Sequence, residues 1–234
     1  MKNILVTGLF LSAIGTAVAD DSPWSGNGQL GFTSTSGNSD TTTLTAGLAG
    51  KYEVNQWINT LSLDVLRADS DGVDTADRYI LEGKTGYKFN EANYVFFNTR
   101  YENDSFTAFD YTWTNAVGWG HKFYESDDKK LITEVGVGHK IAAYDIDRNE
   151  DSGVVFTAKV DYMHKFSDNV SFGDVLRLES TSDNTFTQND AGFTFKVSDK
   201  VGVKLSHQWR HNTDVPIGIK STDTLVAASL VYDF

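Results

Sequence analysis

Along almost the whole chain after residue 24, apolar and polar residues alternate with a period of two. That is the spacing of a β-strand with one oily and one wet face. Trp24, Leu30 and Phe32 alternate with Ser25, Asn27, Gln29 and Thr33, and Leu44, Ala46, Leu48 and Tyr52 alternate with Thr43, Thr45, Lys51 and Glu53. Further along, Trp113, Val117, Trp119 and Phe123 oppose Thr112, Thr114, Gly118, Gly120 and Lys122. Asp174 is a departure, falling on the apolar parity. About twelve such segments follow one another, each near the ~10 residues that cross a bilayer at a tilt. Their connections alternate in character. Those around Asn55, Glu91, Asp127, Asp168 and Asp199 are tight, whereas residues 69–77, 102–109, 144–152, 180–185 and 212–221 read as longer loops, with only 36–39 short among them.

The last segment ends the chain. Phe234, Tyr232, Leu230, Ala228 and Val226 share one parity, while Asp233, Ser229, Ala227 and Asp223 hold the other, with Val231 and Leu225 as apolar exceptions. A chain ending inside a strand is expected to be tied down. Pairing of the last strand with the first, which leaves no free edge, does this economically.

Charge decides what the polar parity faces. Arg78, Glu82, Lys84, Arg100, Glu134, Lys140, Lys159, Asp161, Arg177, Glu179, Lys204 and Arg210 all lie opposite the apolar parity. In a soluble sandwich they would face water, and in a membrane barrel they would line the lumen. Periodicity alone does not separate these. Four features favour the membrane version: aromatics near the strand ends, an even strand count, the terminal Phe234 and an export signal. The signal is read over residues 1–19, with Lys2 at its head, an apolar stretch and Ala17-Val18-Ala19 before the cleavage point. The expected organisation is therefore a signal peptide at 1–19 and one barrel domain at 20–234.

Without residues 1–19 the chain carries 19 Lys and Arg against 32 Asp and Glu, a formal charge of −13. It has no Cys, and Asp, Asn, Ser and Thr interrupt every apolar run, so a membrane helix of about 20 residues is excluded. The acidic balance argues against nucleic-acid binding.

Candidate chemistry is sparse. Gly118, Gly120, Gly136 and Gly138 lie inward on two neighbouring strands and, paired, predict a lane without side chains. That lane would leave free volume for Arg100 or Arg177 to reach across, or would relieve crowding where the wall bends. His121, His139, His164, His207 and His211 all fall on the lipid-facing parity. A lipid-acting enzyme of phospholipase or deacylase type would place a His beside a Ser there. His211-Asn212-Thr213 is the nearest approach, and interfacial imidazoles explain the set as well. The acidic runs 69–74 and 145–151 have calcium-loop spacing, but neither matches an EF-hand; the second has Glu150 where Gly is needed. No metal or cofactor site is expected.

Three stretches carry a resemblance: Gly31-Phe32-Thr33-Ser34-Thr35-Ser36-Gly37-Asn38-Ser39 after Trp24, Val215-Pro216-Ile217-Gly218 before Thr222-Asp223-Thr224, and the closing Leu230-Val231-Tyr232-Asp233-Phe234. With these the chain resembles the salt-induced outer-membrane protein family, a β-barrel domain of unknown function. The resemblance implies an outer-membrane barrel and supplies no catalytic motif. The expectation is thus an all-β chain, a single antiparallel transmembrane barrel of about twelve strands with short periplasmic turns. It would sit in the bacterial outer membrane as a narrow porin-like channel or structural envelope protein. Its expected partners are outer-membrane lipid and lipopolysaccharide, small solutes or ions, and the barrel-assembly machinery through the strand ending at Phe234.

Overall fold

The computed structural model describes residues 22–35, 40–106, 109–144, 150–216 and 218–234. The expected signal peptide and the 36–39 turn lie outside these residues, as does most of the 145–151 run. Twelve strands are present: β1 (Trp24–Thr35), β2 (Thr41–Val54), β3 (Trp57–Ser70), β4 (Val73–Lys88), β5 (Asn93–Asp104) and β6 (Phe109–Glu125), then β7 (Lys129–Tyr144), β8 (Glu150–Ser167), β9 (Val170–Ser180), β10 (Thr185–Lys196), β11 (Val201–Asn212) and β12 (Thr222–Asp233). Each pairs antiparallel with its chain neighbours, and β12 closes on β1. At that seam Gly26 and Phe234 exchange both backbone hydrogen bonds, N···O 3.0 and 2.9 Å.

The closed sheet turns its oily side outward. Trp24, Phe32, Leu61, Val117, Phe156 and Val226 are all more than half exposed, whereas Arg100, Glu102, Glu179 and Arg210 are buried inside. Such a belt of exposed apolar residues is unfavourable in water and is the surface hydrocarbon requires. Aromatic pairs mark its two edges. Trp24 lies 4.6 Å from Tyr52 and Trp57 lies 5.2 Å from Tyr87 at the short-turn end. Tyr79, Tyr101 and Tyr111 form a row at the other end, with centroids 6.0 and 5.8 Å apart.

Two expected loops are strand instead. Residues 69–77 are not a long acidic loop: β3 and β4 run through them to a two-residue turn at Asp71-Gly72, both with positive φ (54° and 80°). Asp-Gly favours this geometry, whose twist matches the flanking strands. Charge there reads as loop but is compatible with a hairpin tip standing clear of the membrane, where Arg67 pairs with Asp77 at 3.3 Å. Likewise, β5 continues through Glu102 to Asp104, which carries both carboxylates into the lumen.

Candidate functional site: a lumen crossed by ion pairs

The inward parity of β5 is Tyr94, Phe96, Asn98, Arg100, Glu102 and Asp104, and every one of these side chains is buried. Together with inward residues of β4 they form a spine that β7, β9 and β11 reach from across the lumen. Near the short turns, Lys84 pairs with Glu134, which also accepts the Tyr94 hydroxyl at 2.5 Å. At mid-height Arg177 of β9 donates to Glu82 at 2.5 Å, and Asn98 donates to the same carboxylate at 2.9 Å. Above it lies Glu179. It accepts from Lys140 at 2.8 Å and Thr114 at 3.1 Å, with Arg100 at 4.0 Å.

The uppermost level carries ion pairs from wall to wall. Arg210 of β11 pairs with Glu102 and, at 3.2 Å, with Asp104, both on β5. β5 and β11 are six places apart in a ring of twelve, so this pair spans the diameter. Arg100 joins Glu102 at 2.5 Å, and Arg78 approaches Asp104 at 3.7 Å while donating to Gln208 at 2.5 Å. The Phe186 ring sits among the cations Arg210, Lys140 and Arg100 at 5.0, 5.5 and 5.8 Å. The space left among these groups is about 30 Å³, room for one or two waters. In so dry a site a charge without its partner is costly, which holds the belt together. Even so, the Arg210 Nε and Gln188 Oε1 are buried without a hydrogen-bond partner among the described residues.

Of the charged residues expected to line the lumen, the structure brings Arg78, Arg100, Lys140, Glu179 and Arg210 into this belt. Glu82 with Arg177 and Lys84 with Glu134 form separate levels. Lys159 lies in register between Glu134 and Arg177. Asp161 stands apart, paired with Lys130 at 2.9 Å. Lys204 lines a different cavity with Asp64 and Asp190. Sequence reasoning left out Glu102, Asp104, Phe186 and the Gln208–Asp190–Gln188 chain, whose two bonds are each 2.6 Å. The signal was available in Asn98, Arg100, Glu102 and Asp104, which keep strict alternation past the point assigned to a loop.

The glycine lane is not free volume. Gly118 and Gly136 do pair across β6 and β7, but a Cβ on Gly118 would stand 2.4 Å from the Phe96 ring, and one on Gly120 would stand 2.2 Å from the Tyr94 ring. The glycines make room for two aromatic rings laid flat against the wall, and neither Arg100 nor Arg177 uses the lane. On the outside, His211 Nδ1 meets the Thr222 hydroxyl at 2.9 Å, whereas Thr213 Oγ1 bonds Asn184 and the Thr185 amide at 3.3 and 2.8 Å. His211 and Thr213 therefore do not form a nucleophile–base pair.

Known proteins share this architecture. The COG4313 outer membrane channel from Pseudomonas putida F1 overlays with a TM-score of 0.53 at 12% identity, over 94% of this chain and 98% of that one. The NanC porin gives 0.49 at 11% identity, over 90% and 97%. Such identities speak to the fold alone. The uncharacterized protein YdiY of Escherichia coli (strain K12) is 21% identical over 98% of this chain and 95% of its own length. A family described as "Protein of unknown function, DUF481" matches residues 28–234, and this chain belongs to it.

Proposed function

We propose that the protein is a small-solute channel of the bacterial outer membrane whose resting lumen is shut by a belt of ion pairs. The observation that carries the reading is the Arg210–Glu102–Asp104 bridge across the full diameter between β11 and β5. About twelve strands lie between barrels filled by side chains and barrels with an open water channel. Here cavities of about 220 and 260 Å³, which share Leu66, Arg78, Gln208 and Leu225 as lining, adjoin the belt, so water-sized space exists beside a narrow constriction. The likeness to an outer membrane channel supports the same reading. Contacts with outer-membrane lipid and lipopolysaccharide, and delivery by the barrel-assembly machinery through the strand ending at Phe234, belong to this proposal. So does the absence of enzymatic activity.

Planar-bilayer recordings of refolded protein test it. Wild type is expected to pass little current and Arg210→Ala to produce discrete openings. Silence from both at every salt concentration would leave a plugged structural barrel.

A further inference from the structure

The wall is not equally closed all round. β1 pairs with β2 through twelve rows, from Trp24–Tyr52 to Thr35–Thr41. With β12 it pairs through five rows, from Asn27–Asp233 to Gly31–Ser229, and the Gly26–Phe234 pair just below adds a sixth. Above Gly31 and Ser229 no row joins the two strands among the described residues, although both continue, to Thr35 on one side and back to Thr222 on the other. The Gly26–Phe234 pair exchanges both its backbone bonds, so in an antiparallel ladder the even-numbered residues of each strand point their N–H and C=O groups at the seam. Phe32 and Ser34 on β1, and Val226 and Ala228 on β12, therefore turn these groups into a gap.

The gap lies at membrane depth. Counting from the aromatic rim at Trp24 and Tyr52, a strand needs about 9–11 residues to cross the hydrocarbon. The seam is zipped for about half of that, and the split falls on the side of the long loops, which is the outer leaflet. Bare backbone in lipid is tolerated only where it borders a cavity. One is present. The two cavities of about 220 and 260 Å³ share Leu66, Arg78, Gln208 and Leu225 as lining and lie directly behind β12. Thr33, although on the inward parity, is exposed, and Val226 beside the gap is 74% exposed. Nearest the gap the inward residues are Thr43, Thr45, Leu225 and Ala227, an uncharged strip of wall, while Asp64, Arg78, Asp190, Lys204, Arg210 and Asp223 line the cavities deeper in.

We propose that the outer ends of β1 and β12 frame a lateral port, through which an apolar or single-chain amphiphilic molecule moves between the lumen and the outer leaflet. The threshold suits an acyl chain, with hydroxyls and methyls on its inner side and hydrocarbon outside, and the charged side chains stand deeper in the cavities. The port concerns a different wall from the ionic belt and stands whether or not that belt ever passes ions.

The chain has no native Cys, so cysteines can be placed singly. A fluorophore is attached at Leu225→Cys in the lumen, with Val226→Cys on the lipid side and Thr157→Cys on the ionic wall as references. Quenching is read in phosphatidylcholine vesicles containing nitroxide-labelled dodecanoic acid. The Leu225 label is expected to be quenched at least half as strongly as the Val226 label, and the Thr157 label hardly at all. Adding the Thr33→Cys/Ala227→Cys pair, closed by oxidation or by a short bis-maleimide after folding, should reduce Leu225 quenching to the Thr157 level. Reduction of the disulfide, in a chain already folded, should restore it. An unquenched Leu225 label with the seam unlocked would overturn the port, as would quenching unchanged by the lock. The registered pair Asn27→Cys/Asp233→Cys is expected to oxidise at least several-fold faster than the Thr33/Ala227 pair. Equal rates would mean that the seam is zipped along its length.

Discussion

Two sides of one cylinder obey the same parity rule and do different things with it. On the side built from β4, β5 and the strands that reach toward them, the inward positions are ionic and cross the lumen. Toward the outer end of the side built from β12, β1 and β2 they are mostly short and uncharged, such as Gly31, Thr33, Thr43, Thr45, Ala227 and Ser229, with Gln29, Leu225 and Asp223 as the longer exceptions. The ionic side acts as a brace, because each carboxylate there answers a cation on a distant strand and removing one leaves its partner stranded. Little crosses from the other side; its side-chain link at the end of the zipped seam is a Thr45–Ser229 contact of 3.5 Å. A barrel can thus place its strength on one wall and its give on the opposite one without changing the alternation that folds it.

Breaking the brace should cost most. Glu102→Ala removes the carboxylate that Arg100 and Arg210 share in a dry site, leaving two guanidinium groups with only Glu179 at 4.0 Å and Asp104 at 3.2 Å. It is expected to destabilise the barrel by about 3–5 kcal/mol, read from urea midpoints in lipid vesicles. Tyr94→Phe removes only the hydroxyl that Glu134 accepts, and should cost about 1.5–3 kcal/mol in the same assay. Next comes Gly120→Val. Its new side chain collides with the Tyr94 ring, at about 1–3 kcal/mol, and Tyr94→Ala in the same chain should recover much of the loss by vacating that space. On the opposite wall Thr33→Val should stay within about 0.5 kcal/mol. A large effect of Thr33→Val would erase the contrast between the walls, and a small one of Glu102→Ala would remove the brace.

The parity, and with it the strand count and the direction of facing, was legible because lipid on one side and an enclosed polar space on the other act on every residue of every strand. Arg100 and Arg210 could be placed inside for that reason. Their common partner could not, because the Glu102 bridge depends on which rows of β5 and β11 lie level after the barrel is sheared, and no local pattern encodes that. Asp71-Gly72 was legible in principle as a two-residue turn, but the charges on both sides outweighed it. Gly118 and Gly120 announced a missing Cβ without saying that Phe96 and Tyr94, two strand positions apart on a neighbouring strand, would fill the space. The short β1–β12 seam joins residues some two hundred positions apart, and nothing near Gly31 in the chain marks where the pairing stops.

The most direct trial of the cross-lumen closure is a charge-reversal cycle recorded in a planar bilayer, comparing Glu102→Arg, Arg210→Glu, the double exchange and wild type. If the bridge between β5 and β11 shuts the lumen, each single reversal opens it and the double exchange returns the current to the wild-type level. Four identical traces would contradict the closure and leave the ion pairs as internal bracing.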